Sequence, residues 1–247
     1  MLTETPRWSV AFGIGLCLVF WWGASLQFPD FVVPSPKDTA ATLVTLLVDA
    51  AFWTDTLLPT LLRAIAGGAV AAIVGIAMGV CAGQFPVVNG IVTPLRFVLS
   101  ALPAPVFVIL ALLWVGAQDA TIVLAVAVLL APVFFVSARD GLRGADVELI
   151  EMAHVYHLGW LGKCRYILMP AVAVCLVPAT RLGIANALRL TILAEILVAT
   201  GGIGEQISLS RQYLETTRLF AMVVVLVSII AALERLLNGI FPNRAAT

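Results

Sequence analysis

Six long apolar runs, parted by short stretches of proline, glycine and charge, leave this chain few ways to fold. About 20 predominantly apolar residues cross the hydrocarbon core of a bilayer as a helix. The runs here approach or exceed that length. Charged residues make up only 11% of the 247 residues and hydrophobic ones 62%, whereas soluble domains carry about a quarter charged. The chain is therefore read as an all-α integral membrane protein. Its 14 basic and 14 acidic residues cancel, with no charged tail that would suit nucleic acid. Cys17, Cys81, Cys164 and Cys175 have no CxxC spacing and lie in or beside apolar runs, so they read as inert thiols.

The first run, residues 8–26, is longer than a signal-peptide core and has no clean A-x-A site after it; it reads as a retained span. Pro29, Pro34 and Pro36 then punctuate a loop. Ser35 is placed to cap a new helix with Pro36 at its first position. That helix, residues 37–51, is too polar and short to cross and is expected along the interface. The second span is expected over residues 57–83. Gly67, Ala71, Gly75, Gly79 and Gly83 recur along it every fourth residue, a stripe that admits another helix backbone closely. Arg63 precedes the stripe, and Pro59 is a candidate kink. The third span starts near Val87 and is expected to be interrupted at Pro94 and at Pro103-Ala-Pro105. Such breaks at membrane depth serve packing or line a water-filled path. Gly116-Ala-Gln-Asp119 makes a turn into the fourth span, residues 120–136.

Residues 151–170 cannot be membrane-buried: they carry Glu151, Lys163, Arg165 and both histidines, and end on Pro170. The fifth span follows over residues 171–200, Gly201-Gly-Ile-Gly204 breaks it, and the sixth covers residues 219–237. With the N-terminus in the cytosol, the inner side carries Arg7, Arg139, Arg143, Lys163, Arg165, Arg235 and Arg244. The outer side carries only Lys37, Arg211 and Arg218. Basic residues favour the cytosolic side, so residues 151–170 and both termini are expected there.

The fifth span holds Arg181, Asn186, Arg189 and Glu195. Three charges at a helix centre cost about 9 kcal/mol on the insertion scale, and the Leu, Ile and Val residues of the span offset roughly 4–8. The charges should thus face protein or water. At about 100° per residue, Arg181, Arg189 and Glu195 share an arc of roughly 120°, with Gly183, Ala187 and Ala194 opposite. Two readings stand: ion pairing within the bundle, including Arg63, or the lining of a pathway.

The polar interval between the fourth and fifth spans has a further pattern. Glu151-Met152-Ala153 is followed by three residues, His157, nine residues, Ile167, and then Met169-Pro170. This resembles the cytoplasmic coupling motif of ATP-binding-cassette importer permeases: E-A-A, three residues, G, nine residues, I-x-L-P. His157 stands where the family has glycine, so the turn forms either there, in a left-handed backbone that histidine tolerates, or at Gly159. Asp146 is placed to cap the preceding helix. Leu62-Arg63-Ala-Ile-Ala-Gly67, Pro103-Ala-Pro105, Leu113-Trp114-Val-Gly116, Arg181-Leu-Gly183, Ala194-Glu195 and Gly202-Ile-Gly204 resemble the nitrate/sulfonate/taurine branch of these permeases.

The resemblance implies a type I ABC importer permease fold of six transmembrane helices with a cytoplasmic coupling helix, in a bacterial cytoplasmic (inner) membrane. It divides the chain into an N-terminal span, loop and interfacial helix (residues 1–56) and a five-helix core (57–247) with the coupling motif at 146–170. The implied partners are a second copy of the permease, two cytosolic ATPase subunits that hold ATP and Mg, and a periplasmic or lipid-anchored binding protein. The chain itself is expected to be no enzyme. Its coupling residues are Glu151, Met152, Ala153, His157, Gly159, Ile167, Met169 and Pro170. Its pathway candidates are Arg63, Pro103, Pro105, Arg181, Asn186, Arg189 and Glu195. The expected cargo is a small solute of nitrate, sulfonate or taurine type, with a pyrimidine vitamin precursor or a flavin as alternatives. An ion-coupled carrier would leave the polar interval without work, and no inverted repeat is evident. A metal site on Glu151 and His154 would need a second such pair, and Gly201-Gly-Ile-Gly204 lacks the strand and lysine of a phosphate loop.

Overall fold

The computed structural model describes residues 7–240, and every regular element among them is helical. Helix α1 (Arg7–Gln27) leads into the proline loop, where the Trp21 indole donates to the Pro34 carbonyl (3.1 Å). Ser35 caps α2 (Pro36–Val48) as its composition requires: its backbone is extended and its Oγ accepts from the Asp38 N–H at 3.1 Å. The helix ends earlier than residue 51 because Asp49 turns extended and binds the Ala51 N–H with its own carboxylate (3.0 Å).

A π-helical turn, Phe52–Leu57, runs straight into α3 (Leu58–Gln84). Pro59 follows that turn, and a second π-turn, Cys164–Leu168, stands in the same relation to Pro170. The wider turn makes room for a ring that would otherwise press on the carbonyl four residues back. Neither proline breaks its helix. Pro170 therefore does not initiate the fifth span: α8 (Trp160–Lys163), the π-turn and α9 (Met169–Val198) form one helix, Trp160–Val198.

The small-residue stripe of α3 packs on α6 (Asp119–Arg143). Gly67 faces Val126, Gly75 faces Phe134, Gly79 faces Ala138 and Gly83 faces Leu142, while Ala71 is wholly enclosed. The partner advances in step with the glycine, so the two helices run parallel in constant register. Parallel neighbours require the chain between them to travel back along the bundle. That return is made by α4 (Pro86–Ala101) and α5 (Ala104–Val115), set at 103° to each other. The break lies at Leu102 and Pro103, which are extended. Pro94, expected as an interruption, sits inside a continuous α4.

Helix α9 runs back against α6. Gly141 of α6 lies on the Val172 backbone, and Gly183 of α9 lies under the Phe134 ring. The α10 helix (Gly202–Gln212) and α11 (Thr216–Ile240) complete the fold. Phe52, Leu57, Ile203, Met222 and Val225 close a core at the end where α3 begins. Among the described residues, four helices are long and apolar enough to cross a membrane: Phe52–Gln84, Asp119–Arg143, Trp160–Val198 and Thr216–Leu237. The bent α4–α5 pair makes a fifth crossing if counted as one, and Phe12–Gln27 is a shorter apolar helix. Arg244, counted on the inner side from sequence, lies outside the described residues.

A Cβ at Gly75 would stand 2.6 Å from the Ala131 carbonyl oxygen, and one at Gly79 2.5 Å from that of Phe135. Gly75→Ala and Gly79→Ala should each destabilise the chain by about 1–3 kcal/mol through overpacking. Gly90→Ala, which meets open space on α4, should be neutral or slightly stabilising. Thermal melts in one detergent would check this, and equal melting of all three variants would refute the close α3–α6 contact.

Candidate functional site

The polar interval after α6 forms α7 (Val147–Val155), a turn and α8. Asp146 is the N-cap, its carboxylate accepting from the Glu148 N–H at 2.9 Å. Of the helix, Ala153 alone is buried, packed with Ala145, Ile167 and Leu168 at the foot of the long α8–α9 helix. The termination is a Schellman motif. The His157 N–H donates to the His154 carbonyl (3.1 Å) and the Leu158 N–H to that of Ala153 (2.9 Å). His157 takes the left-handed conformation this needs, at φ 53°. Gly159 is extended and serves as the N-cap of α8. The turn thus forms at the position where the family motif has glycine. His157→Gly should stabilise it by about 1 kcal/mol and His157→Val should loosen it, since a β-branched residue suits positive φ least. Hydrogen exchange of residues 153–160 would show slower opening in the first variant and faster in the second.

Glu151 is exposed and its side chain makes no hydrogen bond or ion pair among the described residues, and Met152 is 48% exposed. Around them stand Val155, Tyr156, Trp160 and Leu161, all largely exposed. Of the motif's closing residues, Ile167 faces inward, whereas Met169 and Pro170 face outward.

At the opposite end of α6 and α9 lies a buried ion network. Glu195 is fully enclosed, and its Oε1 accepts from Arg63 Nη1 at 2.7 Å. Its Oε2 accepts from the Gly204 N–H at 3.0 Å and lies 2.9 Å from Thr60 Oγ1. Arg63 also donates to Asp119 Oδ1 (2.6 Å) and to the carbonyls of Thr200 (2.8 Å) and Gly201 (3.0 Å). The Gly201-Gly-Ile-Gly204 loop exists to close on this pair. Gly201 and Gly202 both have φ of 91°, and a side chain at Gly202 or Gly204 would collide with Glu195.

The other candidates lie elsewhere. Arg181, Asn186 and Arg189 line a groove of about 380 Å³ between α9 and α11, together with Glu234. Arg189 Nη2 stands 3.4 Å from Glu234 Oε1, and its Nη1 stands 3.3 Å from Asn186 Oδ1. Pro103 and Pro105 start α5 at the bend, apart from both clusters. Sequence reasoning missed Asp119, Thr60 and Glu234. Thr60 was findable, being one helical turn before Arg63 and on the same face. Asp119 and Glu234 carry no such signal, because their partners come from distant segments.

Residues 71–245 match the family described as binding-protein-dependent transport system inner membrane component, and the chain belongs to it. It is a permease component of binding-protein-dependent ABC import. The chain is similar to the taurine transport system permease protein TauC of Escherichia coli (strain K12), 24% identical over 90% of this chain and 82% of the relative. It is similar to a candidate aliphatic sulfonates transport permease, SsuC of Bacillus subtilis (strain 168), at 24% over 78% and 70%. The riboflavin transport system permease protein RibX of Chloroflexus aurantiacus is 27% identical over 95% and 90%. Among solved structures, the MetNI methionine ABC transporter in an inward-facing form superposes with a TM-score of 0.62 at 18% identity, over 80% of this chain and 95% of that one.

Proposed function

We propose that two copies of this chain form the translocation pathway of an ATP-driven importer in a bacterial cytoplasmic membrane, with α7 docked on cytosolic ATPase subunits. The observation that carries this reading is the joint between α7 and the long helix. An exposed surface of Glu151, Met152, Val155 and Tyr156 is fastened through Ala153 to Ile167 and Leu168. From there the helix is unbroken to Val198. A groove on an ATPase subunit that moves α7 would move the whole span as one body. ATP and Mg belong to those subunits, and a periplasmic or lipid-anchored protein delivers the solute.

Counting α1 and the bent α4–α5 pair as crossings gives six. Both termini and α7 then lie in the cytosol, and the Arg63–Glu195 network lies at the outer face. The N-terminal unit of residues 1–56 adds a span and an interfacial helix to a core of five. The cargo is a small organic solute. Sulfonate and taurine permeases among the relatives favour a sulfonate, and the riboflavin permease, alike over most of the chain, supports a flavin as the second reading.

Glu151→Ala should insert normally yet co-purify with the cognate ATPase at least about fivefold less well, the loss of a charged contact at a docking surface. Pull-down from membranes with parallel uptake assays provides the measurement. Undiminished co-purification and uptake would refute the docking role.

A further inference from the structure

The groove between α9 and α11 holds positive charge that the fold leaves unanswered. Arg181 lies near the middle of the Met169–Val198 helix. Its Nε and Nη2 are shielded from solvent and have no hydrogen-bond partner among the described residues. Arg63 offers the contrast: each of its terminal nitrogens has two acceptors. Among the described residues Glu234 is the single carboxylate lining the groove; it is already 3.4 Å from Arg189, and both of those side chains are about half exposed. Two guanidinium groups thus stand against one carboxylate, which leaves one positive charge over.

A charge at the centre of a spanning helix is costly unless it meets water or a counter-charge. The remaining wall is apolar, including Leu182 and Leu237. The volume of about 380 Å³ falls within the range of small-molecule pockets. We infer that this groove binds a small organic monoanion by its oxyanion head, a sulfonate or a carboxylate, on the Arg181 guanidinium. A guanidinium suits such heads because its charge is permanent and its N–H donors are fixed in one plane. Asn186 and the Arg189–Glu234 pair form the polar side, and the apolar wall takes the short carbon chain. The inference rests on the permease reading, which makes an anion here a solute in transit.

The test is calorimetric titration of the full chain in phosphatidylcholine nanodiscs with butanesulfonate, butyrate and, as neutral control, butanol. Both anions should bind and butanol should not. Arg181→Gln should weaken anion binding by at least about tenfold, and Arg181→Lys should recover part of it. Arg181→Gln should also melt no lower than the parent, since no native partner is lost. No anion binding by the parent, equal binding of butanol, or unchanged affinity in Arg181→Gln would overturn the site. So would a loss of dimer in Arg181→Gln with anion affinity intact, which would assign the guanidinium to a second copy. ATP-driven uptake by the parent transporter is scored separately. Uptake without anion binding rejects this site alone, and anion binding by a chain that no ATPase drives rejects the permease reading alone.

Discussion

Arg63→Ala should destabilise the chain by about 3–5 kcal/mol and sharply reduce the folded protein recovered from membranes. Removing one partner of a buried pair leaves the other charge enclosed without compensation. Here the survivor would be Glu195, which has no solvent exposure and retains only the Gly204 N–H and the Thr60 hydroxyl. The carbonyls of Thr200 and Gly201 would lose their donor too. Arg63→Ala/Glu195→Gln should be less damaged than the sum of its parts, because the glutamine leaves no orphaned charge. Asp119 is not a substitute partner for the network: its side chain is 70% exposed, and Asp119→Asn should change stability by no more than about 1 kcal/mol. Melts in one detergent of the parent, Arg63→Ala, Glu195→Gln, the double variant and Asp119→Asn decide the matter. A loss below about 1 kcal/mol in Arg63→Ala would mean that the network does not hold the α3, α6 and α9 ends together.

Ala153→Trp should abolish most ATP-driven uptake while the chain still inserts and dimerises. Ala153 is 2% exposed and seats α7 on Ile167 and Leu168. A large side chain cannot enter that contact without overpacking, so α7 would lift from the foot of the long helix. The proposed docking surface, on the opposite face, would remain. The expected signature is therefore a separation: ATPase binding kept within about threefold and uptake reduced at least about tenfold, as for a change that spoils the positioning of an intact element. Uptake near the parent level would show that motion reaches α9 by another route. The same experiment with Glu151→Ala should give the reverse separation, binding lost first.

Much of the helix inventory was legible in the sequence, because each signal for it is local. Ser35 and Asp146 were readable as caps from their place before a helix, and both cap as expected. The four-residue stripe from Gly67 to Gly83 announced a close helix contact, although it could not name α6 as the neighbour. Local signals misled at prolines. Pro94 and Pro170 each read as a boundary, yet both lie inside helices: α4 continues through Pro94, and a π-turn ahead of Pro170 makes room for its ring. The charged residues of the fifth span read as unable to face lipid, and the structure encloses one of them, Glu195, completely. Helical periodicity put Arg181, Arg189 and Glu195 on one arc, and the arc conceals a division. Glu195 is sealed near the helix end by Arg63 and a glycine loop. Arg181 and Arg189 open on a groove whose acid, Glu234, arrives from α11.

By itself the sequence determined that this chain is helical and membrane-embedded, that it belongs with importer permeases, and that residues 146–170 form a capped helix, a turn and a second helix. Length, hydropathy and motif spacing carry those conclusions, and all three are properties of neighbouring residues. Only the tertiary structure decided that His157 forms the turn, that α3 packs on α6, and that the charges of the fifth span serve two separate clusters. The last two depend on which distant segment supplies the opposing surface or counter-charge, and one-dimensional spacing does not encode that; the turn depends on which of two nearby positions takes the left-handed backbone, and both were open to the sequence.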